Sequence, residues 1–152
     1  MALPETELRL RTFLLSHARP YESAAFLLRS HDDYLLYLGD TGADELELSH
    51  QWQAVGPLVR AGQLKALLIE TSYAHEQPEQ LLFGHLTPAR LMQELAVLGQ
   101  IVGPGPLRAV PIIITHHKPP ASNEAAIARQ LSAANALGLR LIYPLQGQRL
   151  QF

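Results

Sequence analysis

The chain reads as an α/β protein built on one mixed sheet with flanking helices, and three observations predict this. Apolar runs bounded by turn residues alternate with segments of helical spacing. Two of those runs, "LKALLIE" (64–70) and "AVPIIIT" (109–115), are apolar almost throughout, as strands covered on both faces are. Near the front, "SAAFLLR" and "YLLYLG" flank the polar turn "SHDD", which predicts an antiparallel hairpin and makes the sheet mixed.

Taken in order, "LRLRTFLLS" (8–16) predicts a strand and the hairpin follows it. From 49 to 62, Trp52, Val55, Leu58 and Val59 share one helical face, and Pro57 is expected to kink or split that helix. After the strand at 64–70, Thr87 and Pro88 stand as the N-cap and first residue of a helix. Leu91, Met92, Leu95 and Leu98 line its face. "GPGP" (103–106) reads as a loop, and 109–115 as a strand. The stretch 122–137 reads as a helix closed by Gly138, with Ile127, Leu131 and Ala134 inward. "LIYP" and "QRLQF" read as short closing strands.

At 152 residues and 47% hydrophobic, the chain is one domain's worth, 1–152, with enough apolar surface for a core. A net charge of −2, with Lys and Arg scattered, argues against nucleic-acid and membrane partners. The absence of cysteine excludes disulfides and thiolate zinc sites. No apolar run reaches membrane-span or signal-peptide length, so a cytoplasmic location is expected.

The polar residues fall at the strand ends. The first strand leads into His17, the third into Asp40, and the buried strands into Glu70 and His116. Ligands of α/β sheets bind at the carboxyl ends of strands, where the loops leave a crevice. Each residue alone has a plainer reading: Asp40 as a turn residue, His116 as a core histidine, Glu70 as a partner of Arg90, His17 as a surface residue. Together they form a donor set. Imidazoles and a carboxylate suit zinc, manganese or iron, and a carboxylate can bridge two such ions. His31, His50 and His75 read as solvent-facing, and His117 as a neighbour of the site. His85 stands two residues before a helix cap, on a short loop.

With those residues in hand, the chain resembles the class II cyclic nucleotide phosphodiesterases of the metallo-β-lactamase superfold. The likeness rests on "YESAAFLLR…YLLYLGDTGAD", "LIETSY", "LLFGHLTPARLMQEL", "THHKP" and "YPLQGQRLQF", in that order. A looser likeness links the same landmarks to the tRNA 3′-processing endonucleases. The resemblance implies an αβ/βα sandwich with a dinuclear metal site holding two divalent ions, zinc expected and manganese or iron the alternatives. It assigns His17 and His116 as metal ligands and Asp40 as the bridging aspartate. His85 corresponds to the histidine that protonates the leaving oxygen, and Glu70 to the acid that orients or reprotonates it. Lys118 is a family landmark and a candidate phosphate contact.

One landmark is absent: no upstream His-x-His-x-Asp-His string occurs. The chain is therefore expected to be the C-terminal half of the fold. The sheet face carrying Phe26, Leu28 and Leu36, or their alternates, should then meet either the N-terminal half or a second copy in a homodimer. The implied activity is hydrolysis of 3′,5′-cyclic nucleotides, cAMP above all, with the isolated chain inactive. The rivals are an RNA 3′-end-processing hydrolase and a non-catalytic half-domain acting as a binding module.

Overall fold

The computed structural model describes residues 6–16, 22–42 and 45–152. Strands β1 (Arg9–Ser16), β2 (Glu22–Ser30) and β3 (Asp33–Leu38) precede helix α1 (Glu45–Arg60) and strand β4 (Leu64–Glu70). A 3₁₀ turn (Glu79–Leu81), α2 (Pro88–Val102), α3 (Pro104–Arg108), β5 (Ile112–Thr115), α4 (Ala121–Ala134) and β6 (Leu141–Ile142) complete the order. One sheet runs β1-β2-β3-β4-β5-β6, antiparallel through β3 and parallel from β3 onward. Each parallel crossover steps the same way across the sheet, and right-handed crossovers of that kind stack every helix on one face. The mixed α/β sheet of the sequence reading is therefore the observed one.

Strand alternation decides which side chains enter the core. Ala25, Leu27, Leu36, Leu38, Leu67, Ile69, Ile112 and Ile114 face the helices. They pack with Trp52, Val55, Leu91, Leu95 and Leu98 into one buried cluster. A fully buried leucine is worth roughly 1.5–3 kcal/mol, so this face holds the layer together. Trp52 donates from Nε1 to Glu94 at 2.9 Å, giving a buried acid its partner and tying α1 to α2.

The opposite face is apolar too, and less covered. Leu14 is 69% exposed and Tyr37 40%, and Phe26, Leu28 and Leu35 are half-buried. The Ser30↔Asp33 pairing sets Leu28 against Leu35 and Leu27 against Leu36. Leu36 therefore belongs to the helix side and is fully buried, contrary to the expectation that groups it with Phe26 and Leu28.

Other expectations are corrected locally. Helix α1 passes unbroken through Pro57. Pro57 and Gln53, whose carbonyl loses its donor, both lie on the exposed side, where water can serve it. The "GPGP" stretch is not a loop: Gly103 at φ 84° ends α2, and Pro104 opens α3 at a position that needs no N–H. Strand β5 starts only at Ile112. Helix α4 ends at Ala134, which is exposed, and Asn135 closes it through paired bonds with Leu139. "QRLQF" is not in the sheet. No helix among the described residues is long and apolar enough to cross a membrane.

Candidate metal centre

Because β3, β4 and β5 are parallel, their carboxyl ends share one edge. Asp40 follows β3, Glu70 ends β4, and His116 follows β5. Gly39 sets the first of these. Its N–H bonds the Ala24 carbonyl at 3.1 Å, and an added Cβ would lie 2.8 Å from Ser23 Oγ and 2.9 Å from that carbonyl oxygen. Only glycine lets the chain lie so close to β2 while Asp40 turns onto the edge.

His85 arrives from the loop ahead of α2. Its N–H bonds the Leu82 carbonyl at 2.9 Å, closing a turn whose central residues, Phe83 (φ 51°) and Gly84 (φ 77°), are both left-handed. A bulky residue in that region is strained by about 1–3 kcal/mol. Thr87 and Pro88 then open α2 as the N-cap and first residue, although the Thr87 side chain makes no cap bond.

Glu70 is the hub. Its side chain is 1% exposed and meets four donors. Oε1 accepts from the Thr41 N–H at 2.7 Å and from His85 Nδ1 at 2.8 Å. Oε2 accepts from Ser72 Oγ at 2.5 Å and from the Leu86 N–H at 3.3 Å. An ionised carboxylate offers about four lone-pair sites, and here each has a donor. The bonds link the Asp40–Thr41 loop, the His85 ring and the start of the next helix to one buried anion. Arg90, the alternative partner for Glu70, pairs with Glu79 instead.

Asp40, His85 and His116 converge. Each offers a ligand atom within 4.8 Å of those of the other two. His116 Nε2 lies 3.2 Å from Asp40 Oδ1, and the His85 and His116 rings are 5.3 Å apart. The Tyr73 ring meets His85 edge-on at 6.0 Å. Lys118 Nζ lies 2.9 Å from His116 Nε2, so an ammonium already stands beside a candidate ligand nitrogen. His116 itself is left-handed, at φ 60°. Burial holds the His117 imidazole below its ordinary basicity, with the Glu124 carboxylate 3.7 Å from its Nδ1. His31, His50 and His75 are exposed. His17 lies outside the described residues.

Ser72, Thr41 and Asn123 escape a reading of the sequence. Ser72 and Thr41 follow Glu70 and Asp40 closely, and that proximity is the one signal that points to them. Asn123 sits in "PPASNEAA" and looks like any polar residue of a first helical turn.

The family model described as cAMP phosphodiesterases class-II matches residues 6–147. The chain belongs to this family. A 3′,5′-cyclic-nucleotide phosphodiesterase of Aliivibrio fischeri is 38% identical over 97% of this chain and 47% of its own length. Unliganded yeast PDE1 superposes over 95% of this chain and 46% of its own, with a TM-score of 0.82 and 22% identity. The metallo-β-lactamase fold protein YhfI of Bacillus subtilis covers 93% of this chain at TM-score 0.61 and 11% identity, matching over 48% of its own chain. The fold of this class II phosphodiesterase chain is thus that of the metallo-β-lactamase proteins. The chain spans about half the length of the curated relatives it matches.

Proposed function

We propose that these residues form the C-terminal half of a metal-dependent 3′,5′-cyclic-nucleotide phosphodiesterase that converts cAMP to its 5′-nucleotide in the cytoplasm. The observation that carries the reading is the meeting of Asp40, His85 and His116 beside the buried Glu70.

The donors fit a divalent cation. A carboxylate and imidazoles suit zinc, with manganese or iron as alternatives, and the ammonium of Lys118 already lies against His116 Nε2. Asp40 and His116 would hold the ions, with His17 as a further ligand. When bound, such ions lower the barrier to forming the attacking hydroxide and neutralise phosphoryl charge.

The chain's own residues supply the rest. Glu70 accepts from His85 Nδ1, which leaves Nε2 as the nitrogen for chemistry and fixes the ring orientation. His85 donates its proton to the departing 3′ oxygen, and the tight 82–85 turn gives that donor the fixed position it needs. Lys118 contacts the phosphate.

Further ligands come from a segment carrying the His-x-His-x-Asp-His string. His17, Asp40 and His116 would be three protein ligands for two ions, where a single catalytic zinc site uses three. The same segment covers Leu14, Phe26 and Tyr37 on the helix-free face. A second copy of this chain is the alternative cover, but it brings no such string. The test is cyclic AMP hydrolysis with zinc or manganese added. The 152-residue chain alone should show none above background, and joining it to the ligand-bearing half should give turnover. Two ions bound and turnover by the chain alone would overturn the half-site reading.

A further inference from the structure

His116 adopts a left-handed backbone (φ 60°) at the edge of the site, a conformation that a non-glycine residue keeps only when its surroundings impose it. Three bonds pin the turn that carries it. The Ser72 hydroxyl reaches the His116 carbonyl at 2.9 Å, sharing its proton with Glu70 Oε2. The Lys118 N–H donates to the Ser72 carbonyl at 3.0 Å. Asn123 Nδ2 donates to the Lys118 carbonyl at 2.7 Å and to the Ser72 carbonyl at 2.9 Å. Asn123 Oδ1 in turn accepts from the Ala74 N–H at 2.9 Å.

Asn123 stands in the first turn of α4 and directs all of these bonds at backbone groups. Its amide spends both protons and its oxygen on two separate loops, the one after β4 and the one after β5. Ser72 is wholly buried and is fixed further by its own N–H to the Leu86 carbonyl at 3.0 Å. Through Ser72 the same network reaches Glu70, and through Glu70 it reaches His85. The two histidines are thereby held in register through Asn123 and Ser72, which touch neither imidazole.

We infer that Asn123, acting through Ser72 and the 116–118 backbone, is a positioning residue that sets His116 for metal binding. The inference rests on the proposed metal role of His116, and it goes beyond that role by naming what aims the ligand. Asn123 is half-buried and packs on backbone rather than in the apolar core, so its loss should move the ligand more than it moves the fold.

The experiment uses the chain joined to the ligand-bearing half and measures Co²⁺ affinity, unfolding midpoint and cyclic AMP hydrolysis for the parent, Asn123→Ala and Asn123→Asp. Asp keeps the acceptor for Ala74 but sets a carboxylate oxygen against two carbonyls. Both variants should bind Co²⁺ about 10–100-fold more weakly, the usual cost of losing a partner behind a metal ligand, with a nearly unchanged midpoint. Hydrogen exchange at the Lys118 amide should accelerate while that at the Leu67 amide, in β4, does not. Affinity equal to the parent's, or lost only in step with the folded fraction, overturns the assignment. A parent that binds Co²⁺ and loses it on substitution, yet hydrolyses no cyclic nucleotide, sinks the functional reading and supports this one. A parent that binds no Co²⁺ overturns both.

Discussion

Glu70 and His85 are joined by a 2.8 Å hydrogen bond in which the side chains are only 1% and 6% exposed. Nothing in the sequence brings them together except the fold: one ends a strand, and the other lies fifteen residues on, beyond a 3₁₀ turn and a left-handed bend. The bond occupies Nδ1 and fixes the orientation of the ring. It also ties the ring to the Asp40 loop, since the same Oε1 accepts from the Thr41 N–H.

Replacing Glu70 by Gln tests the hub. Gln offers one acceptor oxygen where two are used, and its amide protons face donors rather than acceptors. Hydrolysis by the assembled enzyme should fall, by up to the roughly 10²–10⁴ that a positioned acid is worth. Stability should drop by about 1–3 kcal/mol as buried donors lose their partner. Steady-state kinetics and urea denaturation measure the two effects, and a variant with parental rate would remove Glu70 from the account.

The two faces of the sheet should respond differently to substitution. Leu36→Ala opens a cavity in the core on the helix side of the sheet and should cost about 2–5 kcal/mol. Tyr37→Ser, on the next residue but the opposite face, should change the stability of the chain alone by no more than about 0.5 kcal/mol. It should also reduce binding of a hydrophobic dye, since it thins an uncovered apolar patch. Equal costs at the two positions would mean that the face assignment is wrong.

The loop after β4 is also held from α4 by a carboxylate. Gln130 donates to both Glu76 oxygens at 3.0 and 2.9 Å and holds that carboxyl below its ordinary value of 4.5. A depressed carboxyl stabilises the fold above its unfolded value and loses that contribution as pH falls through the folded one. Gln130→Ala should therefore return Glu76 to the ordinary range in an NMR titration. The small stability gap between parent and variant should close on acidification below about pH 4.5. An unshifted titration in the variant would assign the depression to another group.

Much of this was legible in the sequence, and the residues show why. Apolar runs made β4, α1 and α2 readable, because burial imposes a period on the chain itself. The strand-end pattern of Asp40, Glu70 and His116 was readable because parallel strands must align their carboxyl ends. The side of Leu36 was also available, since a two-residue hairpin loop fixes register, but the alternation has to be counted from the turn. The left-handed backbones of Phe83 and His116 were not legible. Non-glycine residues take that conformation rarely, and residue type does not signal the bonds that accompany it here, the Leu82–His85 turn bond and those from Ser72 and Asn123. The helical "GPGP" was hidden for a different reason: proline at a helix start and proline in a loop look alike in one sequence.

In the proposed function His85 donates a proton and does not ligate metal, a real choice because one of its ligand atoms lies within 4.8 Å of those of Asp40 and His116. The direct measurement is metal content together with cyclic AMP turnover in His85→Ala of the assembled enzyme. Full metal content is expected, with a rate lowered by roughly 10²–10⁴, the worth of a positioned acid. Loss of an ion from the variant would make His85 a ligand and contradict the account.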